Sequence, residues 1–256
     1  GAATATVISR FIDMILYIGE LIIHKQKYPF LLKDTGTSEP LPEKLFWKIT
    51  KMSIPLLANE SLWSLGIAML SQSYSTRGIS AVAAVNIVSA LSSTANVANI
   101  ALGNAIGIHM SHLLGAGETD KAVKDSINGI RFTTVIVALT ALIAIMISPL
   151  FPKLYNTTDE IRHTASQLIV VMALHMPLGA IANATYFTLR SGGKSFITFL
   201  SDSCFTWVLQ VPVAFFVSRL TVLPLLPLYA LTNLMDVFKS ALGIILVKKG
   251  IWLKTL

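Results

Sequence analysis

Carboxylates that can carry a proton or hold a cation are scarce in this 256-residue chain, which has 13 Asp and Glu in all. Glu60 stands apart because it is the only formal charge between Met52 and Thr76, within IPLLANESLWSL. A carboxylate at membrane depth is costly unless it faces a bundle interior, is paired or is protonated. Desolvation favours its neutral form, which suits exchange of a proton or another cation. From the residues alone a second reading stays open, a carboxylate near the lipid headgroups that keeps its charge in water. Asn59 and Ser61 flank Glu60 and offer to share its hydrogen bonds. Asp202, in ITFLSDSCFTWVLQVP, follows Lys194 by eight positions and reads as a salt-bridge or gating acid near one end of its helix. Arg10 and Asp13 are three apart, and so are Asp236 and Lys239. Residues at that spacing share a helical face, so each couple is expected to form a local ion pair.

Asn86, Ser89, Ser93 and Asn96 fall at helical spacing, with Asn99, Gly103 and Gly107 continuing roughly along the same face. Such a stripe serves close helix packing or lines a solvated cavity. Trp63, Phe187, Phe205 and Trp207 offer faces on which an organic cation can stack. His109 and His112 lack a third ligand at credible spacing, so no metal site is expected. Cys204 is the single cysteine and implies no disulfide. SGGKS lacks the spacing of a phosphate loop. No nucleophile–base order or nucleotide fingerprint is present, and neither an enzyme nor a cofactor is expected.

The elements that must position these groups follow from composition. Apolar residues make up 54% of the chain and charged residues 13%, against about 25% charged in a soluble domain. Residues 78–117, 132–152 and 163–189 contain no Asp, Glu, Lys or Arg. A bilayer core about 30 Å thick needs roughly 20 mostly apolar residues per helix. Runs such as VIVALTALIAIMISPLF do not alternate in polarity, as barrel strands would. The chain reads as an all-α, polytopic transmembrane bundle. Candidate spans lie at about 3–23, 52–73, 81–112, 130–150, 160–187, 196–218 and 224–247, with a polar connector over 24–51, its last residues forming a surface helix at 43–51, and a tail at 248–256. Pro55 falls in the first turn of the second span. Gly115, Gly117, Gly192 and Gly193 mark tight helix ends, and Pro177 and Pro212 mark kinks or bending points.

The net charge of +7 is read as membrane topology, with the bilayer as partner and no nucleic acid. Lys25, Lys27, Lys33, Lys44, Lys48, Lys51, Lys121, Lys124, Arg131, Arg190, Lys194, Lys248, Lys249 and Lys254 fall on one side of the alternating spans. Arg77, Lys153, Arg162 and Arg219 fall on the other. The basic excess marks the first side, with the C-terminus, as cytoplasmic.

GAATATVISR, ITKMSIPLLANESLWSLG, LLGAGETDKAVK and TYFTLRSGGKS, the last followed by an apolar run with Pro212, occur in one order. Together they resemble the multidrug and toxic compound extrusion family of secondary transporters, the MATE proteins, over nearly the whole chain. Ser111 and His112 depart from the Gly-Gln pair common there. The resemblance implies a fragment: residues 1–23 as the sixth helix, 24–51 as the cytoplasmic connector, and 52–247 as the second six-helix lobe of a two-lobe transporter in the cell membrane. It further implies a missing N-terminal lobe as partner and exchange of H+ or Na+ for small, often cationic, organic substrates by alternating access. The fragment is expected to be inactive alone. Glu60 lines the second-lobe cavity in that picture, and Asn59, Asn86 and Asn96 are taken as its polar neighbours. A lipid-linked precursor flippase and a seven-helix receptor are the rival readings, the first disfavoured by spans nearly free of arginine.

Overall fold

The computed structural model describes residues 2–25, 42–193 and 195–253, and all regular structure among them is helical. The helices are α1 (Ala2–Ile23), α2 (Glu43–Ser75), α3 (Ile79–Gly115), α4 (Thr119–Ile147), α5 (Asp159–Ser191), α6 (Ser195–Leu220) and α7 (Leu225–Lys248). Most of the connector expected at 24–51, namely 26–41, lies outside the described residues, as do Lys194 and the end of the tail at 254–256. Helices α3 to α7 are long and apolar enough to cross a membrane, and the chain is a multi-pass membrane protein. α1 and α2 are helical over the other two candidate spans but are not among those five. In α2 the polar run Asn59, Glu60, Ser61 and Ser64 dilutes the apolar character.

Two boundaries differ from the sequence reading. The expected surface helix at 43–51 and the span at 52–73 are one helix, α2. Nothing between Glu43 and Ile54 breaks it, and Pro55 removes a single backbone donor, while the Ser53 hydroxyl donates to the Ile49 carbonyl at 2.9 Å. The third span is likewise one unbroken helix of 37 residues, about 55 Å long at 1.5 Å per residue.

The chain divides into two compact units, Gly1–Lys48 and Ile49–Leu256. In the first, Arg10 donates to Asp13 at 3.4 Å within α1. In the second, two apolar clusters mark opposite ends of an up-and-down bundle. One gathers Tyr74, Ala81, Ala84, Ala144, Ala165, Leu168 and Leu228. The other gathers Met110, Leu113, Ala122, Leu189, Val247 and Trp252. The turns after α2, α4 and α6 therefore share one end, and those after α3, α5 and α7 share the other.

Glycine sets the second end. The Gly117 amide bonds the Leu114 carbonyl and the Glu118 amide bonds that of Leu113, with Gly117 at φ 76°. This 6→1, 5→2 pattern stops α3 with its last carbonyls satisfied. Gly193 repeats the positive φ after α5, and a side chain on Gly192 would strike the Trp252 backbone. α6 is irregular ahead of Pro212: Leu200–Cys204 and Thr206–Gln210 are π-helical. α5, by contrast, runs unbroken through Pro177.

At the first end Arg77 ties two turns together. Its guanidinium donates to the carbonyls of Ser218 (2.8 Å), Thr221 (2.9 Å) and Leu223 (2.7 Å), filling acceptors left open where α6 ends. Arg77→Ala should cost about 1.5–3 kcal/mol, the range for hydrogen bonds to a charged group, seen as a lower unfolding midpoint in detergent. Arg77→Lys should recover only part of it, since an ammonium cannot span three carbonyls from one plane.

Candidate functional site

Between the two apolar clusters, midway along their helices, α2, α3, α5, α6 and α7 leave a cavity of about 610 Å³. Glu60 and Trp63 of α2 line it, with Ser93, Asn96 and Asn99 of α3 and Asn183, Tyr186, Phe187 and Arg190 of α5. Asp202 of α6 and Asp236 and Lys239 of α7 complete its polar wall. Among the described residues no three His, Cys, Asp or Glu come together as metal ligands.

Asn59 is the pivot of that wall. It is 2% exposed, and its amide donates to Asp202 Oδ2 at 3.0 Å and to the Tyr186 hydroxyl at 3.4 Å. Its own Oδ1 and backbone carbonyl accept the Ser203 hydroxyl at 2.7 and 2.9 Å. The sequence reading offered this amide to Glu60. Successive helical residues point about 100° apart, so Asn59 turns inward to α6 while Glu60 is exposed on the cavity side. The π-helical run brings Asp202 and the adjacent Ser203 together onto that single side chain.

The local pair expected between Asp236 and Lys239 is absent. Lys239 bonds Asp202 Oδ1, while Asp236 Oδ2 lies 2.7 Å from His175 Nε2. Asp202 thus has its lysine on α7, with Lys194 outside the described residues. A local pair would have left the largely enclosed Asp202 without a counter-charge among the described residues, and an uncompensated enclosed charge costs more than an exposed pair returns. α7 breaks at Met235 between Leu225–Leu234 and Asp236–Lys248. Gln210 spans that break, donating to the Thr232 carbonyl at 3.2 Å and to Asp236 Oδ1 at 3.4 Å.

The polar stripe of α3 divides its work. Ser93 and Asn96 face the cavity. Asn99 turns to α5, where the Asn183 amide donates to its carbonyl at 2.9 Å. A side chain at Gly103 would collide with Phe187 and Asn183, so this part of the stripe permits close packing. Asn86 is exposed and does not line the cavity, since it lies ten residues, about 15 Å, along the helix from Asn96. Trp63 and Phe187 line the cavity, whereas Phe205 is buried and Trp207 donates to the Leu62 carbonyl at 2.9 Å. His109 sits 3.0 Å from Asp125.

Sequence reasoning missed Asn183, Tyr186 and Arg190, and with them His175 and Gln210. The signal was available for α5: His175, Gly179, Asn183, Tyr186 and Arg190 recur at intervals of three and four, the spacing already used for α3. Arg190 was placed in a turn, but α5 continues through Ser191 and holds it on the cavity face.

Sequence comparison identifies the bundle that carries this wall. The family model described as MatE matches residues 56–216, well over half of the chain. The chain belongs to the MatE family. Among similar proteins, the probable multidrug resistance protein YoeA of Bacillus subtilis (strain 168) is 24% identical over 227 residues, covering 88% of this chain and 49% of that protein. Two solved structures share the fold. A MOP superfamily transporter from Pyrococcus furiosus Vc1 (DSM3638), whose binding pocket is described as having reversed polarity, superimposes with a TM-score of 0.72 at 15% identity, over 81% of this chain and 46% of its own. A MATE protein in complex with MaL6 gives 0.74 at 13% identity, over 82% and 47%. The MatE chain described here thus spans about half the length of the relatives it matches.

Asn59→Ala tests the pivot. It removes the donor to one Asp202 oxygen and the acceptor of Ser203 in a buried setting, so it should destabilise by about 1–3 kcal/mol. The readout is the thermal unfolding midpoint in detergent, where Asn59→Ala should fall clearly below a Ser61→Ala control.

Proposed function

We propose that this chain is one half of a secondary active efflux transporter that exchanges protons or sodium ions for small, often cationic, organic compounds. α1 is its sixth helix and α2 to α7 its second lobe, with the cavity facing an N-terminal lobe across an alternating-access pathway. The observation that carries the reading is the acidic balance of the wall: Glu60, Asp202 and Asp236 against Arg190 and Lys239 among its described lining residues. An excess of carboxylate in a site walled by apolar helices attracts a cation, and the aromatic faces of Trp63 and Phe187 beside it suit an organic one. The same balance weighs against a flippase for anionic lipid phosphates, despite the presence of Arg190. One lobe provides one wall, so the half alone carries no flux.

Glu60 is the coupling residue in this proposal. It is exposed to the cavity, so ion and substrate can both reach it. Either a proton or an organic cation neutralises a single carboxylate, and mutual exclusion at one charge is the minimum that exchange requires. Glu60→Gln in the full-length transporter fixes the neutral form. It should leave folding intact and abolish gradient-driven efflux from vesicles. A folded Glu60→Gln protein with parental efflux and pH dependence would remove Glu60 from coupling.

The proposed orientation puts the end bearing Lys121, Lys124, Arg190, Lys248 and Lys249 in the cytoplasm, following the lysine and arginine excess. In a Cys204→Ser background, a cysteine at Lys153 should react with an impermeant thiol reagent added to intact cells, and one at Lys121 should not. The opposite pattern would reverse the orientation.

A further inference from the structure

Asp202 differs from Glu60 in one respect that decides what it can bind. Glu60 is exposed and has no bonded partner among the described residues, whereas both oxygens of Asp202 are taken. Oδ2 accepts from Asn59 at 3.0 Å, and Oδ1 accepts from the ammonium of Lys239. The two charged side chains are 14% and 18% exposed, yet both still line the cavity. Behind them lies a separate void of about 10 Å³ bordered by Thr185, Tyr186 and Ser201, room for no more than one water molecule. A cation approaching Asp202 therefore comes from the cavity side, and the place it needs is already filled by an ammonium on a flexible stem of four carbons.

We propose that Asp202 is a cation-exchange site whose resident occupant is the tethered ammonium of Lys239, and that an organic monocation binds there only by displacing it. The inference rests on the reading of the cavity as one that takes cationic substrates. Sodium is excluded from the site by the same arrangement. It would have to shed its water to replace a counter-charge already in direct contact with a carboxylate that Asn59 also bonds. An amphiphilic cation meets a lower barrier because its charge is poorly hydrated and its apolar body gains burial against Trp63 and Phe187. Of the other charges of this wall, Glu60 stands open and Arg190 lies at the end of α5. Asp236 faces His175 and Gln210, and the π-helical turn fixes Asp202 where Lys239 reaches it. The displaced ammonium is tethered and stays in the cavity, so binding of a monocation at Asp202 adds one positive charge to the wall.

Binding of tetraphenylphosphonium to the detergent-purified full-length transporter tests this without requiring transport. Lys239→Gln removes the resident competitor and should tighten binding about tenfold. It should also create a stabilisation by 100 mM sodium chloride over 100 mM potassium chloride that exceeds the parent's. Lys239→Arg should behave as the parent. Asp202→Asn, which keeps the bond to Asn59, leaves the ammonium unpaired in the cavity and should weaken binding about tenfold. Unchanged or weaker binding in Lys239→Gln, an unchanged sodium response there, or unchanged binding in Asp202→Asn would each overturn the proposal. Should Lys239→Gln fail to fold, Asp202→Asn alone decides. Loss of vesicle efflux with these binding shifts intact would count against the transport reading and leave the exchange site standing.

Discussion

A carboxylate held halfway along apolar helices must be answered by a partner, and that demand organises the middle of this bundle. Asp202 recruits Lys239 from α7 and Asn59 from α2; Asn59 in turn takes Ser203 and Tyr186. Four helices are thereby registered to one another at the depth where hydrophobic contact alone, equally good against lipid, sets no register. The apolar clusters above and below are built largely from alanine, leucine and isoleucine, and they gain a fixed rotation from the polar layer between them.

The acids of the wall divide by solvent access. Asp202 is occupied and structural in the resting arrangement. Glu60, one residue from the amide that fixes Asp202, stands open to the cavity. Adjacent positions on one helix thus serve opposite ends: Asn59 points to the protein and is consumed by it, while Glu60 points away and keeps its charge available. Asp236 occupies an intermediate place, half-buried against His175 yet bordering the same space, just after the interruption of α7 at Met235.

Much of the fold could be read from charge gaps and turn residues, because a bilayer-spanning helix has a length that composition alone reveals. The glycine ends at Gly117 and Gly193 were legible for the same local reason: positive φ has few tenants. Glu60 and Asn96 were expected at the cavity through the family resemblance, since the residues alone left a headgroup carboxylate and a packing stripe open. Partner choice was not legible. Lys239 and Asp236 fit a local pair by spacing, and only the neighbouring helices reveal that each faces a different side chain, Asp202 and His175. The π-helical run before Pro212 was also hidden, since proline announces a missing donor and not how the preceding residues adjust. Arg190 falls beyond the expected end of its span at 187, four residues short of Ser191, which puts it in a turn and not on a helix face.

That π-helical run has a consequence for α6 as a mechanical part. A closure between residues five apart takes in one residue more than the flanking α-helix uses, so the stretch stores slack within an element otherwise locked by its backbone. Expelling one residue of that slack would rotate everything beyond it by about 100°. The segment Ser195–Phe199 is held near the glycine turn, and Val211–Leu220 is held at the far end by Arg77. Asp202 and Ser203 sit between those two anchors, so a change of phase there works against the hold of Arg77 on the far end of α6.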